Sequence, residues 1–190
     1  MSERIIDVDL ESFPLLPKAC VTSVYWELAQ EVDQADAPFH KEEWFSSTLL
    51  EWGPCGKLIV EDGAAVAFAE YAPPTLFPRL RDFAAAREAS ADAVYLSYCY
   101  VVEDRRGQGL GSRLVREVAR DAVDRGYRAV EAVGDRVWEG GWVLPLSFLT
   151  ANGFLIVRDD PRFPLLRLDL HERPRPAALE AEASVPAPSS

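Results

Sequence analysis

The middle of the chain constrains the fold more than any other part. Its run AVYLSYCYVV, residues 93–102, is rich in β-branched and aromatic residues and is too apolar for a surface strand. The glycine-rich stretch EDRRGQGLG follows, and apolar residues then recur at helical spacing until Gly126. The segment YRAVEAVG after that glycine is typical of a second strand. The order strand, turn, helix, strand predicts a βαβ unit with two parallel strands.

Two hairpins and two further helices are predicted around this unit. KLIVEDGAAVAFAEYAP places Asp62-Gly63 between two strand-like runs, which favours a tight two-residue turn. FLIVR and LLRLDL, joined by DDPRFP, predict a second hairpin. DAPFHKEEWFSSTLLEW predicts a helix of about three turns that begins near Asp36, and LPLSFLTANGF predicts a short helix entered at Pro145. RIIDVDL is expected to be a first strand, whereas VTSVYWEL fits either a strand or a helix.

Length and composition predict one folded domain with a tail. The chain has 190 residues, 48% of them hydrophobic and 27% charged, as in ordinary soluble domains. Residues 171–190 contain four prolines and few large apolar side chains, which predicts a disordered tail after a domain that spans residues 1–170. No apolar run approaches the roughly 20 residues of a membrane helix, and the acidic start lacks the order of a secretion signal. We therefore expect a cytoplasmic protein without a membrane partner.

The charge and the cysteine and histidine content indicate which ligands and cross-links are not expected. A formal net charge of −11 lacks the broad basic field on which nucleic-acid binding depends, so no nucleic-acid partner is expected. Three widely spaced cysteines fit free thiols better than a disulfide framework. With two histidines and no CxxC or HxxxH spacing, no metal site is expected.

The glycine-rich stretch is expected to bind a phosphate group. Its three glycines let the backbone approach a ligand closely, and their amides precede a helix N-terminus beside two arginines. A P-loop is excluded because Ser-Arg follows the last glycine where GK[ST] is required. A dinucleotide-binding G-x-G-x-x-G lacks its third glycine, where Leu114 stands. Glu131 does lie about 20 residues further on, so a dinucleotide-binding oxidoreductase stays open.

The pattern that fits is R-x-x-G-x-G, formed by Arg106, Gly109 and Gly111. Between a core strand and an amphipathic helix, this stretch resembles the pyrophosphate-binding signature of the GNAT superfamily of N-acetyltransferases, which use acetyl-coenzyme A. The order of elements is similar too, over roughly residues 49–170, and the whole chain resembles a group of actinobacterial GNAT proteins. The resemblance implies an α/β (α+β) fold: a mixed, mostly antiparallel sheet flanked by helices, whose central strands diverge at the βαβ unit to admit acetyl-coenzyme A.

The resemblance also implies where the cofactor lies. In the family, the backbone of the central strand pairs with the pantetheine arm, which here corresponds to Tyr100, Val101 and Val102. Transfer is direct in the family, without a covalent enzyme intermediate, so the cysteines have no required role. The amides expected to hold the pyrophosphate belong to Arg106, Gly107, Gln108, Gly109, Leu110, Gly111 and Ser112.

A base must take a proton from the substrate ammonium before the amine can attack. Glu131 is the first candidate, because relatives that acetylate protein N-termini carry a catalytic glutamate in a similar context. Glu70, late in the first hairpin, is the alternative.

The proton donor to the leaving thiolate departs from the family pattern. Relatives often carry a tyrosine four residues before the glycine of the GF pair, and here that place is Leu149, which cannot donate. Either another group donates the proton, with Tyr98 or Tyr100 as the candidates, or the thiolate leaves unaided, or catalysis is poor. Trp138 and Trp142 either line an acceptor pocket or cover the core.

The resulting prediction is an acetyl-coenzyme A-dependent N-acetyltransferase that acts on a primary amine. A small amine, an antibiotic, a peptide N-terminus and a lysine side chain all stay open, as does a homodimer. The alternatives are a non-catalytic coenzyme A-binding regulator, which Leu149 favours, and the dinucleotide-binding oxidoreductase.

Overall fold

A mixed, mostly antiparallel sheet of eight strands forms the centre of the computed structural model, which describes residues 3–170. The strands follow the order β1-β2-β3-β4-β5-β8-β7 across the sheet, with β6 paired to β5. The β4–β5 and β5–β6 pairs are parallel, as the βαβ prediction requires for the first of them. The strands are β1 (Glu3–Asp7), β2 (Gly56–Glu61), β3 (Ala64–Ala72), β4 (Ala93–Val101), β5 (Ala129–Asp135), β6 (Leu144–Pro145), β7 (Leu155–Arg158) and β8 (Leu165–Asp169).

Helices cover both faces of the sheet. On one face lie α1 (Lys18–Val21), α2 (Ala37–Glu51) and the 3-10 turns between β3 and β4. On the other lie α3 (Leu110–Asp124) and α4 (Leu146–Ala151). The fold class predicted from the sequence is therefore confirmed, and the predicted tail, residues 171–190, lies outside the described residues. Within residues 3–170 no helix combines the length and apolarity needed to cross a membrane.

Local sequence signals account for most element boundaries. Asp62 and Gly63 both adopt positive φ, +47° and +88°, as a tight turn between twisted strands demands. The helix predicted from about Asp36 is α2, and α3 ends just before Gly126, whose φ is +85°.

The segment VTSVYWEL forms turns and irregular backbone, so neither the strand nor the helix is correct. Side chains bind this segment in place of a regular ladder. The Arg79 guanidinium donates to the carbonyls of Tyr25 and Leu28 and lies 4.6 Å from the Tyr25 ring centre. The buried Trp26 donates its indole N–H to the Trp142 carbonyl at 2.9 Å.

The sheet opens between its two central strands. β4 and β5 pair only at Ala93–Ala129, Val94–Val130 and Tyr95–Glu131. Directly beyond, the register of β4 on β3 shifts, so that Ser97 is an extra residue on β4. Such a bulge bends its strand. On the side that faced β4, β5 has no partner strand until the short β6 joins it at Gly134, while β8 stays paired on its other side. The divergence of the central strands that the resemblance implied is thus present, and it positions the site.

Candidate functional site

A cleft of about 570 Å³ lies where the sheet opens, between the C-terminal half of β4 on one side and β6 with the loop before it on the other. This volume is within the range of small-molecule sites. The lining is mostly apolar and comes from both faces of the sheet, because the opening passes through it. The lining residues are Ala19, Tyr98, Cys99, Tyr100, Val101, Arg106, Gly111, Trp138, Gly140, Gly141, Trp142, Val143, Leu144, Pro145 and Phe148.

The end of β4 presents free backbone groups to the cleft. The Val102 N–H donates to the Val66 carbonyl of β3 at 3.0 Å. Because partners alternate along an antiparallel ladder, the backbones of Val102 and Tyr100 point to β3, and those of Cys99 and Val101 point to the opening. Of the three residues expected to pair with a pantetheine arm, Val101 alone has this orientation. Cys99 has the same backbone orientation but was not among the residues predicted to pair with the arm. Its orientation follows from the position of the bulge at Ser97, since alternate residues beyond the bulge face the opening.

The start of α3 offers unpaired backbone donors beside the cleft. Gly107 and Gly109 have φ of +74° and +78°, a conformation that favours glycine, and the space beside their α-carbons is open. The first helical hydrogen bond runs from the Arg113 N–H to the Gly109 carbonyl at 3.1 Å. The N–H groups of residues 110–112 therefore have no acceptor within the helix. Together with the helix dipole they form a site for an anion.

The two arginines before the glycines have different roles. Arg105 forms an ion pair with Glu61 of β2 at 2.5 Å. Arg106 lines the cleft, where its Nε donates to the free carbonyl of Val101 at 3.1 Å. The positive charge available to an anion at the head of α3 therefore comes from Arg106.

Gly111 allows α3 and α4 to meet at the cleft. A β-carbon at this position would lie 3.0 Å from the Phe148 ring, closer than side chains normally tolerate. Gly111 thus lets α3 pack against Phe148, in addition to leaving its own amide accessible to a ligand. Leu149, one residue further along α4, is fully buried in the core, so the usual tyrosine position has no hydroxyl at the cleft.

Aromatic rings form the wall of the cleft on the α1–α2 face of the sheet. Tyr98 and Tyr100 stack with centroids 6.1 Å apart, and Trp142 lies 5.4 Å from Tyr98. Trp138 is half-exposed and lines the same cleft. Trp138 and Trp142 both line the pocket, and Trp142 also packs against the core.

Tyr98 lies at the boundary between the cleft and the interior. It is 9% exposed. Burial raises the pKa of its phenol well above the ordinary value, and the neighbouring Cys20, Tyr100 and Glu70 raise it further. The hydroxyl is therefore protonated at physiological pH and available as a hydrogen-bond donor, and the same shift makes it a weaker acid than an ordinary tyrosine.

Glu70 lies behind Tyr98 in a buried cluster of three charges. The Lys41 ammonium pairs with Glu70 Oε2 at 2.5 Å and with Glu27, and the Ser97 hydroxyl donates to Glu70 Oε1 at 2.9 Å. The cluster lines a cavity of about 10 Å³ that Tyr98 also lines, and this is roughly the room that one water needs. With all three groups ionised, the cluster has a formal charge of −1.

The sequence reasoning missed Glu27 and Lys41. A signal for Lys41 was present, because it repeats at helical spacing with the buried Ala37 and Phe45 of α2. A lysine on an apolar helix face needs a buried partner. The partners come from distant parts of the chain, so the sequence alone could not name them.

Glu131 lies where β4 and β5 are still paired, and it does not line the cleft. Its carboxylate accepts from the Ser90 N–H at 2.9 Å, from the Ser90 hydroxyl at 2.6 Å and from Arg167 at 3.2 Å. These contacts anchor the loop before β4. The structure therefore brings Glu70, and not Glu131, close to Tyr98.

The cysteines are free thiols with low reactivity. Burial raises the pKa of Cys20 and of Cys99 to about 12 and raises that of Cys55 still further. A thiolate forms only as the pH approaches the pKa, so little is present at pH 8.

We expect Ellman's reagent at pH 8 to label the folded protein at least about tenfold more slowly than the urea-unfolded chain. The time course of absorbance measures both rates. A single thiol that reacts fast in the folded protein, and is lost in Cys99→Ser, would restore a nucleophilic role for Cys99.

Comparison with known proteins places the chain in a family. The family model described as "Acetyltransferase (GNAT) family" matches residues 20–137. No curated protein sequence matches the chain at a significant level.

Several solved structures share the fold. An N-acetyltransferase from Staphylococcus aureus Mu50 is 17% identical with a TM-score of 0.60, over 90% of this chain and 100% of that one. The PaiA N-acetyltransferase from Thermoplasma acidophilum, in complex with coenzyme A, is 16% identical with a TM-score of 0.57, over 89% and 99%. The ribosomal-protein-S18-alanine N-acetyltransferase from Escherichia coli is 12% identical with a TM-score of 0.55, over 92% and 98%. At these identities the likeness concerns the fold.

Proposed function

The chain belongs to the GNAT family of acetyltransferases, and we propose that it transfers an acetyl group from acetyl-coenzyme A directly to a primary amine. The observation that supports this proposal is the cleft between the end of β4 and β6. Backbone groups of β4 that do not bind β3 lie along one side of it, and the unpaired N–H groups of the α3 N-terminus lie at its edge. A thioester carrier with a diphosphate needs both features. Structures of this fold include one with coenzyme A.

The residues present fit this carrier. The amides of residues 107–112, with Arg106, match the charge and hydrogen-bonding needs of a diphosphate. The backbone N–H and carbonyl of Cys99 and the N–H of Val101 face the opening and match an amide-bearing arm that extends along β4. The Val101 carbonyl already accepts from Arg106 Nε. The thioester would then lie near Tyr98, where the cleft passes from one face of the sheet to the other.

The chemistry follows from what surrounds that point. The neutral amine attacks the thioester carbonyl carbon, a C–N bond forms, and the C–S bond breaks as the thiolate departs. Tyr98, held protonated by burial, donates its proton to the thiolate, and the proton that the nitrogen loses as the amide forms restores the phenol. It takes the place of the hydroxyl that Leu149 lacks.

Glu70 is the proposed acceptor of the ammonium proton. It shares a cavity with Tyr98, through which one water can relay the proton. A proton accepted there neutralises the formal negative charge of the Glu27–Lys41–Glu70 cluster. Glu131 lacks such a route, because Ser90 and Arg167 occupy its carboxylate.

Titration calorimetry with coenzyme A, followed by thiol release from acetyl-coenzyme A with an amine library, tests the proposal. We expect binding and amine-dependent turnover. Tight binding without turnover on any amine would favour the non-catalytic regulator. Thermal stabilisation by NAD(P) and not by coenzyme A would favour the oxidoreductase and overturn the proposal.

Gly109→Ala is expected to weaken coenzyme A binding about tenfold, because an alanine at φ of +78° displaces the amides at the head of α3. Gly126→Ala is the matched control. It has the same kind of backbone, φ +85°, and open space, but lies at the far end of α3. Both variants should lose similar stability in urea unfolding, and calorimetry should show weaker binding in Gly109→Ala alone. Equal affinity of the two variants would contradict the assignment.

A further inference from the structure

The acceptor half of the cleft is distinguishable from the carrier half. Arg106 and Gly111 mark the carrier half at the head of α3. Tyr98, Tyr100 and Trp142 pack with the core on the opposite, α1–α2 face of the sheet. An amine that meets a thioester near Tyr98 therefore approaches from this second face.

The acceptor half offers rings and no formal charge. Within the described part of the chain, Arg106 is the one charged side chain that lines the cleft, and it belongs to the carrier half. Glu139, in the loop over the cleft, is exposed and does not line it. A second ammonium or a guanidinium on the acceptor would lose water there without gaining a partner, which is costly. A polyamine or an aminoglycoside thus fits poorly.

A single ammonium on the acceptor, in contrast, has favourable partners in the cleft. The half-buried rings of Tyr100 and Trp142 can attract a single cation, whereas Tyr98 is 9% exposed and packs against both. Behind Tyr98, the Glu27–Lys41–Glu70 cluster carries a formal charge of −1. The acceptor half of the cleft can therefore match one positive charge on the acceptor, placed beside Tyr98, and cannot match a second.

The remainder of the acceptor meets flat, apolar surface. Trp142 is tilted 41° from the Tyr98 ring, and Trp138 approaches from the loop that carries Gly140 and Gly141. These glycines have φ of +107° and +126°, which lets the loop fold over the cleft. A ring that lies against Trp142 and Trp138 gains stacking and apolar burial that a thin aliphatic chain does not.

From these observations we infer that the acceptor is an aromatic monoamine: a ring that carries one primary amine on a short chain. The inference rests on the proposed function and specifies its substrate class. Trp142 is the residue that determines this specificity.

A matched set of amines tests the inference. Phenylethylamine and tryptamine carry a ring and one charge, hexylamine carries one charge without a ring, and spermidine and kanamycin carry several charges. Thiol release gives kcat/KM, and mass spectrometry identifies the acetylated product. We expect the two aromatic monoamines to exceed spermidine and kanamycin by at least about tenfold, and hexylamine by several-fold. Equal or better use of the polycationic amines overturns the inference.

A pair of variants tests whether Trp142 causes the preference for aromatic amines. Trp142→Leu is expected to lower kcat/KM for phenylethylamine about tenfold while the Kd for coenzyme A stays within about twofold. Trp52→Leu is the control, because Trp52 is also half-buried and hydrogen-bonded, to the Tyr127 hydroxyl, but lies outside the cleft. An unchanged aromatic preference in Trp142→Leu counts against the inference.

Saturation-transfer NMR of the amines with the coenzyme A complex reports binding without turnover. Transfer to the ring protons of phenylethylamine, and none to spermidine, supports the inference. If coenzyme A binds and another amine is acetylated while aromatic monoamines neither bind nor react, the inference fails and the proposed function stands. If coenzyme A does not bind and no amine is acetylated, both fail.

Discussion

Replacement of Tyr98 by phenylalanine is expected to lower kcat by about 10²- to 10⁴-fold, the usual contribution of a positioned general acid. The phenol lies at the cleft on β4, beside the bulge at Ser97, where a thiolate would depart. Phenylalanine keeps the ring and its stacking on Tyr100, so coenzyme A affinity should stay within about twofold. Steady-state thiol release at saturating amine measures kcat, and calorimetry measures the affinity.

Tyr100→Phe is the control for this prediction. Tyr100 also lines the cleft and stacks on Tyr98, but it does not line the small cavity that holds Glu70. Its substitution should change kcat by less than about threefold. A Tyr98→Phe enzyme as active as Tyr100→Phe would remove the general acid from the proposal.

The pH profile follows from the same burial. The acid acts in its protonated form, which is present below its pKa and lost as the pH rises through it. Because burial raises the pKa of Tyr98 well above its ordinary value, activity should not fall on the alkaline side before about pH 10 through loss of this proton. A falling limb below that pH which disappears in Tyr98→Phe would show that the phenol titrates normally.

Local chemistry made much of the fold predictable. The Asp62-Gly63 turn and the helix stop at Gly126 each depend on a residue that tolerates positive φ, and both are found as expected. The apolar stripe of α3 depends only on helical spacing, and its residues are buried. Such signals lie within a few residues of one another, so one sequence is enough to detect them.

The arrangement of the cleft depends on pairings that no local pattern shows. The extra residue Ser97 determines which β4 side chains face each side, so Tyr98 and Tyr100 share a face with Tyr95 and not with Leu96. The contacts of Glu131 with Ser90 and Arg167, 41 and 36 residues away, were equally invisible. Resemblance to relatives ranked Glu131 above Glu70, whereas the proton route proposed from the contacts uses Glu70.

Lys41→Met is expected to lower the free energy of unfolding by about 3–5 kcal/mol, the usual cost of breaking a buried ion pair from one side. Lys41 is 2% exposed and contacts both Glu27 and Glu70. Methionine fills similar space but leaves two carboxylates buried without a cation. Equilibrium urea unfolding, followed by fluorescence, measures the change.

Two further variants separate charge from packing in this prediction. Arg120→Met removes a cation from the exposed Arg120–Glu117 pair on α3 and should cost less than about 1 kcal/mol. The triple variant Lys41→Met/Glu27→Gln/Glu70→Gln removes every formal charge from the cluster, so it should regain most of the lost stability. It should also remain slow in acetyl transfer, because the proposed proton acceptor is absent. If Lys41→Met were as stable as Arg120→Met, the two carboxylates would not depend on the lysine for their stability. The cluster behind Tyr98 would then not hold the net negative charge on which the proposed proton route depends.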